Sequence, residues 1–345
     1  MRDIAIALVF RGRGMLSLVL VAALAGCTAA PVVHPDASRS TQLLTDMSGA
    51  GALPHLEALQ RIADANGGNR ASPGPGYEAS VDYVADVLRG AGYDVTLPTY
   101  PVVTGERRGD RGIVVLTQVV AQTRTGDPAR VVMAGAHLDS VPDGPGINDN
   151  GSGVAALLEI ATRLGGAPQL VNAVRFAFWG SEEVDLNGST AYVQSLSSAE
   201  RAALLLYVNL DMVASPNAGY FVQGGEGRGP SQTGPPGSAE VARVLAKQLA
   251  VTGVAAKPTT FDDASDYAPF IEAGVPSAGA LTGDADDKSA SEVRSWGGRP
   301  GEAYDRCYHS ACDRLDNVDP VALDRFTRAA AGTLVHFALA TVPLP

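Results

Sequence analysis

"RVVMAGAHLDSVPDGPGINDNGSGVAALLEIATRL", residues 130–164, decides the fold. Val131 to Ala136 form a short apolar run that reads as a buried strand finishing in His137 and Asp139. A tight Gly-rich turn carrying Asp149 follows, and "GVAALLEIATRL" reads as a helix opening at a Gly/Ser turn. The same alternation continues outward. "VRFAFWG" (174–180) and "LLLYVNLDMVA" (204–214) are further buried strands, and "GIVVLTQVVAQ" (112–122) is a β-rich run. "LPHLEALQRIADAN" (53–66) sets Leu53, Leu56, Leu59 and Ile62 at helical spacing, with Gly67-Gly68 to end it. Val81, Val84, Val87 and Leu88 repeat the pattern up to Gly90, and residues 238–250 and 320–339 read as late helices. Helices alternating with apolar strands define an α/β class: a three-layer α/β/α sandwich with a mixed, largely parallel central sheet.

The chain has 345 residues, 46% hydrophobic and 18% charged, enough for one large core. Its formal net charge of −11 argues against nucleic-acid binding, which needs Lys and Arg to neutralise phosphates. Arg2, Arg11 and Arg13 precede the apolar "MLSLVLVAALAG" (15–26), a stretch too short to span a bilayer comfortably. Its end, Leu24-Ala25-Gly26-Cys27, resembles a bacterial lipoprotein signal and implies cleavage before Cys27 and acylation of that thiol. The alternative is an ordinary secretory signal; either way the protein is exported. Residues 28–40, rich in Pro, Ala and Ser, read as a tether. The division expected is a signal peptide over 1–26, a flexible tether over 27–44 and one folded domain over 45–345. The anchor would hold that domain on the extracytoplasmic side of a bacterial membrane.

The chemistry collects where strands end. His137 and Asp139 close one strand, Glu182 and Glu183 follow the next in "WGSEE", Asp211 closes "LYVNLDM", and Asp149 sits in the turn between. A late segment, "DRCYHSACD" (305–313), adds His309. In open α/β sheets the ligand crevice lies outside the carboxyl ends of the strands. Imidazole and carboxylate together suit zinc, and a carboxylate can bridge two ions because it has two oxygens. A lone His or Asp at a strand end is more often a structural cap; a set of them beside paired glutamates is not.

These segments, in order, resemble the M28 family of zinc aminopeptidases, and most of all its small secreted bacterial and streptomycete leucine-type members. "GAHLDSVPDGPGINDNGSG", "WGSEE", "NLDM", "GYFV", "SDYAPF" and "DRCYHSACD" carry the likeness. The resemblance implies two zinc ions per chain, with Asp149 bridging, His137 and Asp211 completing one site, and Glu183 and His309 the other. It implies a cis peptide after Asp149, Glu182 as the proton acceptor, and Tyr308 as a donor to the developing oxyanion. Asp139 is placed to orient His137, and Met212, Phe221 and Leu281 resemble residues lining the side-chain pocket. Cys307 and Cys312, close together in an exported chain, imply a disulfide. Calcium-activated members carry an acid one helical turn after the position of Asp324, where this chain has Arg328, so no calcium is expected. Peptides are the implied substrates, with large apolar first residues preferred, and a monomer is expected. Glutaminyl cyclases on the same fold, a carboxypeptidase, and a non-catalytic zinc- or peptide-binding lipoprotein remain the alternatives.

Overall fold

The computed structural model describes residues 43–44, 47–105, 112–342 and 344. The signal segment, Cys27, His34 and the tether up to residue 42 lie outside the described residues. In chain order the helices are α1 (Gly49–Ala65), α2 (Pro75–Gly90), α3 (Gly151–Leu164), α4 (Asn187–Ser195), α5 (Ser198–Ala203), α6 (Pro230–Thr233), α7 (Ser238–Val251), α8 (Ala268–Glu272), α9 (Ala290–Trp296) and α10 (Pro320–Ala338). The strands are β1 (Asp94–Thr96), β2 (Thr99–Thr104), β3 (Gly112–Thr117), β4 (Val119–Gln122), β5 (Asp127–His137), β6 (Asn172–Trp179), β7 (Leu204–Leu210), β8 (Phe221–Gln223), β9 (Lys257–Thr259) and β10 (Ser277–Leu281).

Eight strands form one sheet in the order β1-β4-β6-β5-β7-β10-β8-β9. The central run β6-β5-β7-β10 is parallel throughout, and β8 pairs parallel with β9. The links of β1 to β4, β4 to β6 and β8 to β10 are antiparallel. The centre is apolar on both faces because both are covered. On β5, Val132, Ala134 and Ala136 pack with α1, α2, α3, α7 and α10, while Val131 and Met133 face the layer holding Tyr192 of α4 and Phe270 of α8. Val174, Phe176 and Phe178 of β6 join the first layer, Ala173, Ala177 and Trp179 the second. That alternation is the pleat itself.

The run 112–122, read as one β-rich stretch, divides between two sheets. β3 pairs with β2 in a separate hairpin, and β4 joins the main sheet. The second helix runs through Gly90, and Gly92, at φ +87°, makes the left-handed turn that follows it. Because β5, β6 and β7 run in one direction, His137, the segment after Trp179, and the segment after Leu210 emerge on the same edge of the sheet. Among the described residues no helix is long and apolar enough to cross a membrane.

Candidate metal centre and active site

Asp149 stands at the middle of the cluster on that edge. Its Oδ1 lies 3.1 Å from His137 Nε2, and its Oδ2 lies 3.1 Å from His309 Nε2. Asp211 Oδ1 lies 3.4 Å from His137 Nε2, and Glu183 Oε2 lies 3.0 Å from His309 Nε2. Glu182 Oε2 stands further out, 3.9 Å from His137 Nε2. Two sets of donor atoms converge closely enough to hold a metal: His137, Asp149 and Glu183, and His137, Glu182 and Asp211. The peptide bond from Asp149 to Asn150 is cis, and Asn150 caps α3 by accepting from Gly153 N. His137 Nδ1 contacts the Asp139 carbonyl at 3.2 Å, which leaves Nε2 pointed into the cluster. The Asp139 carboxylate is 3.7 Å from that ring and accepts from Glu182 N at 3.2 Å, so it holds the glutamate turn as well.

The electrostatics ask for cations. Burial alone would lower His137, but Glu182 and Asp211, with Asp139 and Asp149, raise it well above the ordinary range. Hydrogen bonds to Asp149 and Glu183 raise His309 to about 10. Burial pushes Glu182 and Glu183 upward, and neighbouring carboxylates add to it. Glu183 Oε1 and Asp211 Oδ1 are buried and accept no hydrogen bond. Buried carboxylate oxygens without donors are costly, and a divalent cation is the partner that this set of oxygens and imidazoles fits.

Six non-glycine residues among those described have φ between +49° and +61°: Ser181, Asp185, Leu186, Met212, Asp263 and His309. All but Ser181 line one cavity of about 400 Å³ over the cluster, and Ser181 immediately precedes Glu182. Left-handed backbone costs such residues on the order of 1–2 kcal/mol each. Its concentration here marks the cavity as the functional site.

A family model described as peptidase family M28 matches residues 118–334, a span that holds all seven residues from His137 to His309 named as ligands or catalysts. The chain belongs to peptidase family M28. It is a peptide-bond hydrolase. Leupeptin-inactivating enzyme 1 of Streptomyces exfoliatus is 40% identical over 322 residues, 92% of this chain and 69% of that protein. Probable lipoprotein aminopeptidase LpqL of Mycobacterium tuberculosis is 34% identical over 85% of this chain and 86% of its own length. The fold matches an aminopeptidase from Aneurinibacillus sp. strain AM-1 with a TM-score of 0.67 at 17% identity, over 89% of this chain and 97% of that one. It also matches Porphyromonas gingivalis glutaminyl cyclase with a TM-score of 0.61 at 20% identity, over 84% of this chain and 99% of that one. Fold likeness therefore does not separate the two chemistries.

In this M28 peptidase the cavity wall takes Met212 and Leu281, with Leu186 beside them. Phe221 is a correction. Its ring packs edge-on against Trp296 and Tyr304, 5.2 and 5.5 Å between centroids, with Lys257 over its face, and it does not line the cavity. Gln223, two residues on, does. Tyr308 lines the cavity and stacks on His309. Burial and the nearby carboxylates raise its hydroxyl pKa, so it stays a proton donor at neutral pH. Cys307 and Cys312 form a disulfide with an S–S distance of 2.05 Å, closing the loop that presents Tyr308 and His309.

Several supports escaped the sequence reading. Arg70, wholly buried, donates to the carbonyls of Leu138, Pro145 and Gly146, and burial pulls it down to about 10. Asp313 accepts from the backbone N–H groups of Asn148 and Asp149. Asp266 is wholly buried and pushed up to about 7, chiefly by burial. Asp185, Asp262, Asp263 and Asp284 add acid to the cavity wall. Asp313 and Asp266 carried a visible signal, as the last residue of "DRCYHSACD" and the second of "SDYAPF".

Proposed function

We propose that this M28 peptidase is a two-zinc aminopeptidase that removes N-terminal residues from peptides with a free amine. The observation carrying this reading is Asp149, whose two oxygens each meet a different histidine, the arrangement that a carboxylate shared by two ions would need. His137, Asp149 and Asp211 would hold one ion, and Asp149, Glu183 and His309 the other. Zinc bound there supplies Lewis acidity toward water and toward the scissile carbonyl. Glu182, further from the histidine than the other carboxylates, accepts the proton of the attacking water and returns it to the leaving amine. Tyr308 donates to the developing oxyanion, a contact typically worth about 3 kcal/mol.

The cavity wall supports the end of the substrate that is trimmed. Among the described residues no Lys or Arg lines it, so a carboxypeptidase would lack a cation for its substrate's carboxylate. Glu182 and Asp211 instead suit a substrate ammonium. The donors for a second ion favour hydrolysis over the one-metal cyclase chemistry, and Glu182 with Tyr308 favours catalysis over mere binding. Met212, Leu186 and Leu281 form the apolar part of the wall and support a preference for apolar first residues. The deciding experiment measures metal content of the purified protein and turnover of leucyl and N-acetyl-leucyl anilides. Two zinc ions per chain and cleavage of the free-amine substrate alone are expected. Equal cleavage of the acetylated substrate overturns the assignment, and faster turnover of glutamyl than leucyl anilide overturns the apolar preference.

The chain is further proposed to be exported and anchored through acylated Cys27, supported by the LAGC segment and by a relative named as a probable lipoprotein. Cys27→Ala should release the protein from the membrane fraction. An unmodified Cys27 in a soluble mature chain, found by mass spectrometry, overturns the anchor.

A further inference from the structure

The catalytic cavity shares one wall with a second groove. Leu186 and Asp263 line both spaces. The groove, of about 510 Å³, runs between α4 and α8, with Thr190 on one side and Pro269, Ile271 and Glu272 on the other. None of these last four residues lines the catalytic cavity, and the reaction above uses none of them.

The groove is built into the fold. Leu186, at φ +54°, and Asp263, at φ +61°, hold the shared ridge in left-handed backbone. Leu186 N donates to the Glu182 carbonyl at 3.0 Å, and the Leu186 carbonyl accepts from Thr190 N at 3.0 Å. The ridge is therefore tied to the catalytic turn on one side and to α4 on the other. Phe270 of α8 stacks on Tyr207 with ring centroids 3.9 Å apart, and lies 6.4 Å from the ring of Tyr192 in α4. The two helices that bound the groove are thus joined through an aromatic layer, and no rearrangement is needed to admit a chain between them.

Its chemistry is mixed. Pro269 and Ile271 are buried and form an apolar floor, while Asp263 and Glu272 are exposed at the rim. Among the described residues no Lys or Arg lines it. An apolar floor under a carboxylate rim fits Lys or Arg, which lay an apolar stem along such a surface and keep the charged head in water. An aminopeptidase holds its substrate by the ammonium end, here at Glu182 and Asp211, so the chain beyond the scissile bond has to leave the cavity. We infer that it leaves across Leu186 and Asp263, and that the groove binds the peptide residues after the second, with basic ones preferred. The inference rests on the aminopeptidase reading above and deepens it by naming the substrate class: peptides of four residues or more with Lys or Arg after the second position.

The test measures kcat/KM of the zinc-loaded protein on the amidated peptides Leu-Ala, Leu-Ala-Ala-Ala, Leu-Ala-Lys-Lys and Leu-Ala-Glu-Glu. Wild type is compared with Thr190→Trp, which fills the groove without changing its charge, and with Glu272→Lys, which reverses the charge of the rim. Wild type should cleave Leu-Ala-Lys-Lys about 10-fold or more faster than Leu-Ala, the low end of what an added apolar group in a pocket is worth. Leu-Ala-Ala-Ala should fall between the two. Thr190→Trp should lose most of that gain and leave Leu-Ala unchanged. Glu272→Lys should slow Leu-Ala-Lys-Lys and speed Leu-Ala-Glu-Glu, again with Leu-Ala unchanged. If wild type cleaves Leu-Ala as fast as Leu-Ala-Lys-Lys, or if Thr190→Trp keeps the whole gain, the chain leaves by another route and the inference is overturned while the aminopeptidase reading stands. If Thr190→Trp slows every peptide equally, the tryptophan has disturbed the cavity and Glu272→Lys decides: an unchanged ratio of Lys to Glu peptides overturns the inference. Self-association in sedimentation that Thr190→Trp abolishes, with the length profile unchanged, would give the groove to a second copy of the chain and overturn the inference as well. Release of no leucine from any of the peptides overturns the aminopeptidase reading and this inference with it.

Discussion

Glu182 and Glu183 are neighbours in sequence with different partners in space. Glu183 Oε2 reaches His309 Nε2 at 3.0 Å, whereas Glu182 Oε2 remains 3.9 Å from His137 Nε2, its backbone N–H held by Asp139. Left-handed Ser181, Asp185 and Leu186 bend the chain around the pair, which lets adjacent side chains serve different tasks. Glu182→Gln keeps the shape and removes the base. Turnover should fall by about 10²- to 10⁴-fold, the usual contribution of general-base catalysis, with zinc content unchanged. Loss of both ions from that variant would make Glu182 a ligand and reverse the two roles. At this scale the sequence was legible where chemistry and position coincide: His137, Glu183 and Asp211 lie at or just after strand ends, Asp149 in the Gly-rich turn and His309 in the late segment, and the structure gathers them. Ser265 stood in "SDYAPF", but no local pattern reports its hydrogen bond to Asp211 across the fold. Phe221 misled for the same reason. Its partners Trp296 and Tyr304 are distant in sequence, and no local pattern reports them.

Between elements, the turn from β5 to α3 is held by the loop that follows α9. Asp313 Oδ1 accepts from Asn148 N at 2.8 Å, Oδ2 accepts from Asp149 N at 3.0 Å, and the Asp313 carbonyl accepts from Ile147 N. Asp305 accepts from Asn148 Nδ2 and, with Asp313, from Asn317 Nδ2. The segment carrying the shared ligand is thus tied to the segment carrying His309, and the disulfide shortens the loop between the ties. Asp313→Ala would leave two buried backbone N–H groups without acceptors, at about 1–3 kcal/mol each. Denaturant unfolding of the metal-free variant should show a loss on the order of 2–6 kcal/mol. A loss below about 0.5 kcal/mol, no larger than an ordinary surface substitution, would show that the turn holds its shape without this tie. Element types were readable from periodicity and the apolar runs of the central strands. The splitting of residues 112–122 between two sheets was not, because strand pairing is decided by partners and not by the run itself.

Across the whole molecule the formal charge is −11, and the cavity concentrates that sign. Two bound dications would roughly neutralise Asp149, Glu182, Glu183 and Asp211, leaving Asp185, Asp262, Asp263 and Asp284 to set the field at the cavity wall. No Lys or Arg among the described residues opposes them there. A cleft lined by one sign of charge raises the local concentration of oppositely charged substrate, with rate effects of about 10- to 10³-fold. Peptides with Lys or Arg after the first residue should therefore be cleaved with higher kcat/KM than peptides with Glu there, given the same leucine in front. The difference should be about tenfold or more at low salt. It should shrink in about 1 M salt, where the Debye length falls to about 3 Å and exposed aspartates no longer act over the width of the cavity. The measurement compares Leu-Lys-Ala, Leu-Ala-Ala and Leu-Glu-Ala at both ionic strengths and one pH. Equal rates at low salt would mean that the wall acids are screened or turned away from the bound peptide. A preference for Lys that survives high salt would point instead to a direct ion pair, and replacing Asp263 or Asp284 by Asn would show which carboxylate makes it.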